Sequence, residues 1–109
     1  MHKNYIDWDK TAQNLKLLRN DNIDLRRYVC HALKYKEANC SGECDDCKFD
    51  MDASISQSEL AEVFGVSTGV IANWETGRTS PTLEDLIFYA EISRVGLSEV
   101  IVFKEKIKF

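Results

Sequence analysis

Between Ser56 and Arg78 the chain encodes two short helices joined by a turn so tight that few folds can accommodate it. Ser56-Gln57-Ser58-Glu59 is a capping box, in which the serine oxygen takes an amide near Glu59 and the Glu59 carboxylate reaches back. Leu60, Val63 and Phe64 form the buried stripe of the first helix, and Gly65 ends it by accepting a left-handed backbone. Ser67 is expected to cap the second helix, which buries Val70, Ile71 and Trp74 and stops at Gly77. Its remaining face, with Thr68, Gly69, Ala72 and Asn73, is small and polar. Such a face can enter a groove of DNA.

The flanking sequence adds further helices. Asp9 is expected to cap a helix running to about Asn20, with Ala12, Leu15 and Leu18 on one face. Asn20-Asp21-Asn22 is a break, after which Asp24 caps a helix with Leu25, Tyr28, Val29, Ala32 and Leu33 as its apolar face. One long bent helix is the alternative. Pro81 and Thr82 open another helix, with Thr82 and Asp85 as a second capping pair and Leu83, Leu86, Ile87 and Ala90 as its core face. Val95-Gly96-Leu97 reads as a turn and Ser98 to Val102 as a last short helix. The tail from Phe103 to Phe109 alternates apolar and charged residues, as a short strand or a loosely docked terminus would. A length of 109 residues fits one small domain with an appendage. The chain divides into an N-terminal helical segment at 1–38, a Cys-rich insertion at 39–54 and a helical domain with its tail at 55–109.

The segment from Ile55 to Phe103 resembles the helix-turn-helix domain of phage Cro and repressor proteins, the Xre type. The resemblance rests on Ser56-Gln57-Ser58-Glu59-Leu60-Ala61, Gly65-Val66-Ser67, Ile71 through Arg78, and Pro81 through Leu86. It covers slightly under half the chain. It implies an all-α, lambda-repressor-like bundle of about five helices, here with a Cys-rich metal-binding loop. Ala61 is small where two helices cross, and Phe64, Val66, Ile71 and Trp74 lock the pair at a fixed angle. The resemblance further implies contacts to double-stranded DNA. Gln57 meets phosphate or a base edge, Ser67, Thr68 and Gly69 lie at the groove entry, Ala72 and Asn73 run along the reading face, and Arg78 binds phosphate. Asn73 has the paired donor and acceptor that adenine requires, and the Thr68 methyl can meet a thymine methyl. Glu75 is implied to pair with an arginine of the first helix, for which Arg19 is the candidate. Family members bind palindromic sites as homodimers, and the tail from Val100 to Phe109 is a candidate dimer surface. The expected function is sequence-specific transcriptional regulation, as a repressor, in a phage or mobile-element setting.

Four cysteines stand apart from this pattern, at the spacing Cys30-x9-Cys40-x3-Cys44-x2-Cys47. Three thiolates within eight residues, with Gly42 allowing a reversal, can converge on one ion, and Cys30 on its helix would be the fourth ligand. Four sulfurs suit structural zinc or a redox-sensing 4Fe-4S cluster. The spacing of Cys40, Cys44 and Cys47 also resembles the cluster motif of radical S-adenosylmethionine enzymes, whose barrel is far larger than this chain. His31 is expected at the surface, and His2 needs no role. Only Phe49 and Met51 are large and apolar between Asn39 and Ser54, so burial alone cannot order that stretch.

Charge and composition bound the rest. The net charge is −4, whereas a basic domain is the usual footprint of a nucleic-acid binder. The charges are segregated, however. From Lys16 to Lys36 six positive residues face two negative ones, and from Glu43 to Asp52 five negative residues face Lys48 alone. One face can therefore attract phosphate while the total stays acidic. No apolar run is long enough to cross a bilayer, and the first residues lack a signal-peptide core. The expectation is a cytoplasmic protein without a membrane partner, in which clustered cysteines are metal ligands or redox sensors more often than disulfides. No nucleophile and base converge in the pattern, so neither an enzyme nor a small-molecule substrate is expected. The alternative to a DNA-binding regulator is a protein-interaction module, an antitoxin or adaptor, on the same scaffold.

Overall fold

The computed structural model describes residues 5–33 and 54–104. Among them lie six helices, against the expected five or so: α1 (Trp8–Asp21), α2 (Ile23–Leu33), α3 (Gln57–Phe64), α4 (Thr68–Thr76), α5 (Leu83–Ser93) and α6 (Leu97–Val100).

The break at residues 20–22 is real and makes two helices. Asn22 adopts an extended backbone, and its amide closes α1 by donating to the Leu18 carbonyl. Its side-chain oxygen accepts from the Leu25 amide at 2.8 Å, so Asn22 and not Asp24 starts α2. The cap of α1 likewise shifts from Asp9 to Asp7, whose carboxylate accepts from the Lys10 amide at 3.0 Å. Either aspartate has the right chemistry. Asp7 has the extended backbone that a capping residue needs, whereas Asp9 is already inside the first turn.

One core joins the N-terminal helices to the rest. Leu15 from α1 and Leu25 and Val29 from α2 pack with Leu60, Ile71, Trp74, Leu86, Tyr89 and Val100 in a single cluster. α3 and α4 pack on each other, α1 lies against α4, and α2 lies across α3 and α5. α5 presents Leu86, Tyr89, Ala90 and Ser93 inward, the i, i+3, i+4, i+7 stripe of a helix. That register turns Ile87 outward, and Leu83 in the first turn is 61% exposed, so neither supplies the core face expected of it. On α2, Leu25, Val29 and Cys30 are buried, while Tyr28 and Ala32 are exposed.

The last short helix begins at Leu97, one residue before the expected start, and ends at Val100. Beyond it the chain returns beside the N-terminal residues. Ile6 and Phe103 form an antiparallel bridge, the Asp7 amide donates to the Val102 carbonyl, and the Lys104 amide donates to the Tyr5 carbonyl, both at 2.8 Å. The fully buried Thr11 hydroxyl accepts from the Val102 amide at 2.9 Å, and the Asn14 side chain donates to the carbonyls of Glu99 and Val100. Val100 and Ile101 are thereby core residues, with 0% and 7% exposure, and cannot belong to a dimer surface. The tail beyond Lys104 lies outside the described residues.

Candidate nucleic-acid interface

The α3–α4 pair is fixed first by its own caps. The Ser56–Glu59 capping box is complete, with the Glu59 amide donating to the Ser56 hydroxyl at 3.0 Å and the Ser56 amide donating to the Glu59 carboxylate at 3.1 Å. Gly65 closes α3 at φ 72° and lets its own amide and that of Val66 donate to the last carbonyls of the helix. Phe64 then meets Trp74 edge-on, with ring centroids 5.6 Å apart, across the angle between the helices.

The inner face of α4 is Ile71, Trp74 and Glu75, all buried. A buried carboxylate needs full compensation, and Glu75 has it. Arg19 of α1 grips it bidentately, Nε to Oε2 at 2.7 Å and Nη2 to Oε1 at 2.9 Å. The third arm of the guanidinium donates to the Ile55 carbonyl at 2.7 Å, which pins the entrance to α3 as well. The pair expected between Glu75 and Arg19 is therefore present. Gln57 adds a donor to Glu75 Oε1 at 3.0 Å. The position expected at DNA is half-buried and also belongs to the brace, a link with no local signal in the sequence.

Tyr89 lies beside this network, fully buried, and its hydroxyl has no hydrogen-bond partner among the described residues. Burial, with the Glu75 charge second, holds its phenol well above the ordinary range, and Arg19 opposes the shift.

The outer strip of α4 carries Ser67, Thr68, Gly69 and Arg78, all exposed, with Ala72 and Asn73 half-exposed between them. Ser67 occupies the N-cap position with an extended backbone, but its hydroxyl makes no capping bond, contrary to the expectation for it. The side chains of Asn73 and Arg78 make no hydrogen bond or ion pair among the described residues. At the far end, Gly77 stops the helix at φ 79°, and its own amide and that of Arg78 donate to the Trp74 and Asn73 carbonyls. A side chain at Gly77 would also meet the Asp9 carboxylate of α1 at 3.1 Å, so close approach and positive φ both call for glycine. Ala72, Asn73, Thr76, Gly77 and Arg78 together line a shallow open depression.

Residues 52–100 match the helix-turn-helix family. The matched stretch contains α3 to α6 and leaves α1 and α2 outside it. The match supports a DNA-binding helix-turn-helix regulator. No curated protein and no solved structure matches the chain.

Of the four cysteines, the structure describes Cys30, which lies on α2 and is 7% exposed. Cys40, Cys44 and Cys47 lie outside the described residues. Among the described residues no group of three or more His, Cys, Asp or Glu could hold a metal, and no helix is long and apolar enough to cross a membrane. His31 is exposed, as expected.

Proposed function

We propose that α4 is a reading helix and that the protein is a sequence-specific transcriptional regulator of the repressor kind, acting in the cytoplasm. The observation that carries this is the contrast between the two faces of α4. Its inner face is tied into the core by a bidentate ion pair, while the polar side chains of its outer strip, Ser67, Thr68, Asn73 and Arg78, have no partners among the described residues. A rigid helix with a small outer face can lie in the major groove with its N-terminal residues at the base edges. In this reading Thr68, Gly69, Ala72 and Asn73 meet bases, with Ser67 and Gln57 at the groove entry. Arg78 meets phosphate. A single cation in the strip is weak electrostatic anchorage, so the protein binds its operator as a homodimer, with the basic stretch from Lys16 to Lys36 contributing.

The test is selection from a random DNA library. The natural chain should enrich a defined site, and Thr68→Ala with Asn73→Ala should lose that preference with an unchanged fold. Equal enrichment by both proteins would reject the docking.

Cys30, Cys40, Cys44 and Cys47 form a thiolate set that fits tetrahedral zinc, with a 4Fe-4S cluster as the alternative. The burial of Cys30 on α2 is the structural support: a metal held there would anchor the 34–53 stretch to α2. Cys44→Ser should release the metal and speed proteolysis within residues 30–53. Elemental analysis and a visible spectrum of anaerobically purified protein distinguish zinc from iron with sulfide.

A second reading has its own support. The acidic net charge and the lack of charge on the outer strip of α4 before Arg78 also suit a helix that binds protein, as in an antitoxin or adaptor. Binding that survives raised salt favours it, because phosphate contacts weaken steeply with salt.

A further inference from the structure

α2 lies outside the segment that matches the helix-turn-helix family, yet it is docked on α3 and α5 within that segment. A continuous run of rings leads from it to α4. Tyr28 of α2 meets Phe88 of α5 edge-on at 5.7 Å, and Phe88 meets Phe64 of α3 at 4.9 Å and 90°. Phe64 meets Trp74 of α4 at 5.6 Å and Tyr89 at 4.7 Å. Trp74 and Tyr89 close the cluster at 6.3 Å. Trp74 is buried, and the next residue, Glu75, is the one gripped by Arg19.

Edge-to-face contacts constrain ring orientation more tightly than aliphatic contacts do, because the positive ring edge seeks the negative face. Close-packed rings also relax by discrete repacking and not by smooth deformation. If α2 shifts on α5, Phe88 loses the Tyr28 edge, and Phe64, wedged between Phe88 and Trp74, must find a new orientation. Phe64 stands immediately before the Gly65 turn that sets α4.

We propose that α2 is a lever on the reading helix, its seating relayed to Trp74 through Phe88 and Phe64. Tyr28 is exposed, so it is the ring at which the run can be altered with the least damage to the core. Cys30 stands two positions further along the same helix, so whatever reseats the buried Cys30 moves the Tyr28 end of the run. The relay does not depend on how α4 is used; its effect on DNA binding rests on the reading given under Proposed function.

The test is a double-mutant cycle on the full chain, read by the two tryptophan indole resonances and by amide hydrogen exchange. Tyr28→Ala should shift the Trp74 indole, leave the Trp8 indole in place, and speed exchange in α4 relative to α1 by about two- to tenfold. In a Phe88→Leu background the same substitution should leave Trp74 unmoved, while in a Phe88→Tyr background, which keeps the ring, the response should return. Ile101→Val, a buried change beyond α6 at a residue outside the run of rings, should not move Trp74. The proposal is overturned if Tyr28→Ala moves Trp74 equally in the Leu background, if it never moves it, or if Ile101→Val moves it as much. A relay that passes this test with unchanged affinity for the selected DNA site leaves the lever standing and removes the DNA role of α4.

Discussion

Ser56 and Ser67 begin consecutive helices with nearly the same backbone, φ −74° and ψ 158° against φ −75° and ψ 157°. Ser56 uses its hydroxyl inside the fold, in a reciprocal pair with Glu59. Ser67 does not. The third helical residue explains half of this: Glu59 can reach back, and Val70 cannot. The start of α3 is complete by itself, while the start of α4 keeps its hydroxyl, a glycine and a threonine at the surface. A helix with one end sealed and its neighbour with the same end open is what a scaffold element followed by a reading element requires. Groups engaged within the fold should therefore lower stability when removed, and groups left open should lower binding alone.

The largest test of that division is at Arg19. Arg19→Ala leaves the Glu75 carboxylate buried with Gln57 as its remaining partner, and should cost about 3–5 kcal/mol in urea unfolding. Gln57→Ala removes one hydrogen bond to a charged group and should cost about 1.5–3 kcal/mol at most. A loss at Arg19 under 1 kcal/mol would mean that α4 is held by apolar packing alone.

The two serines come next. Ser56→Ala should cost about 1 kcal/mol through the lost cap. Ser67→Ala should leave stability near that of the natural chain and weaken binding to the selected DNA site. Equal losses of stability would erase the distinction between the two helix starts.

Gly69 sharpens it further. It lies inside the first turn of α4, and a side chain there would meet only the Ser67 hydroxyl, at an ordinary 3.9 Å. Gly69→Ala should therefore stabilise the fold by about 0.5–1 kcal/mol, since glycine costs that much in a helix. In the DNA-reading role the same methyl obstructs close approach, so binding should fall as the melting temperature rises. A rise in both would take Gly69 out of the interface.

How much of this was legible in the sequence follows from distance along the chain. The Ser56–Glu59 and Thr82–Asp85 boxes join residues three apart, and Gly65 and Gly77 act through their own backbone, so all four could be read locally. The Arg19–Glu75 pair spans 56 positions; it came from the family resemblance and not from any local pattern. α5 misled the reading for another reason. Leu83, Leu86, Ile87, Phe88, Tyr89, Ala90 and Ile92 surround nearly the whole helix, so periodicity cannot choose a buried face, and packing against α2 and α6 makes the choice. Asp7 and Asp9 are both able caps, two residues apart, and only the backbone separates them. Of the candidate site, the residue types on α4 were legible, but the lack of a bond at Ser67 and the engagement of Gln57 with Glu75 were not. Residue type shows what a side chain is able to do, and the neighbours decide whether it does it.

Tyr89 fits neither class, since its hydroxyl is buried beside Glu75 and has no partner among the described residues. At neutral pH the oxygen contributes little, because its desolvation offsets what it gains, and Tyr89→Phe should change stability by under about 1 kcal/mol. The difference appears at high pH. In the unfolded chain the phenol ionises near its ordinary value of 10, while burial and Glu75 keep the folded phenol protonated well beyond it. Above pH 10 the unfolded state therefore binds fewer protons than the folded state, and stability falls by up to about 1.4 kcal/mol per pH unit on this account. Tyr89→Phe should remove that slope and leave the neutral-pH value alone, so the two unfolding curves coincide at pH 7 and separate above pH 10. Parallel curves through that range would mean that the hydroxyl finds a partner or solvent in the folded protein, and that the brace around Glu75 is less dry than its geometry implies.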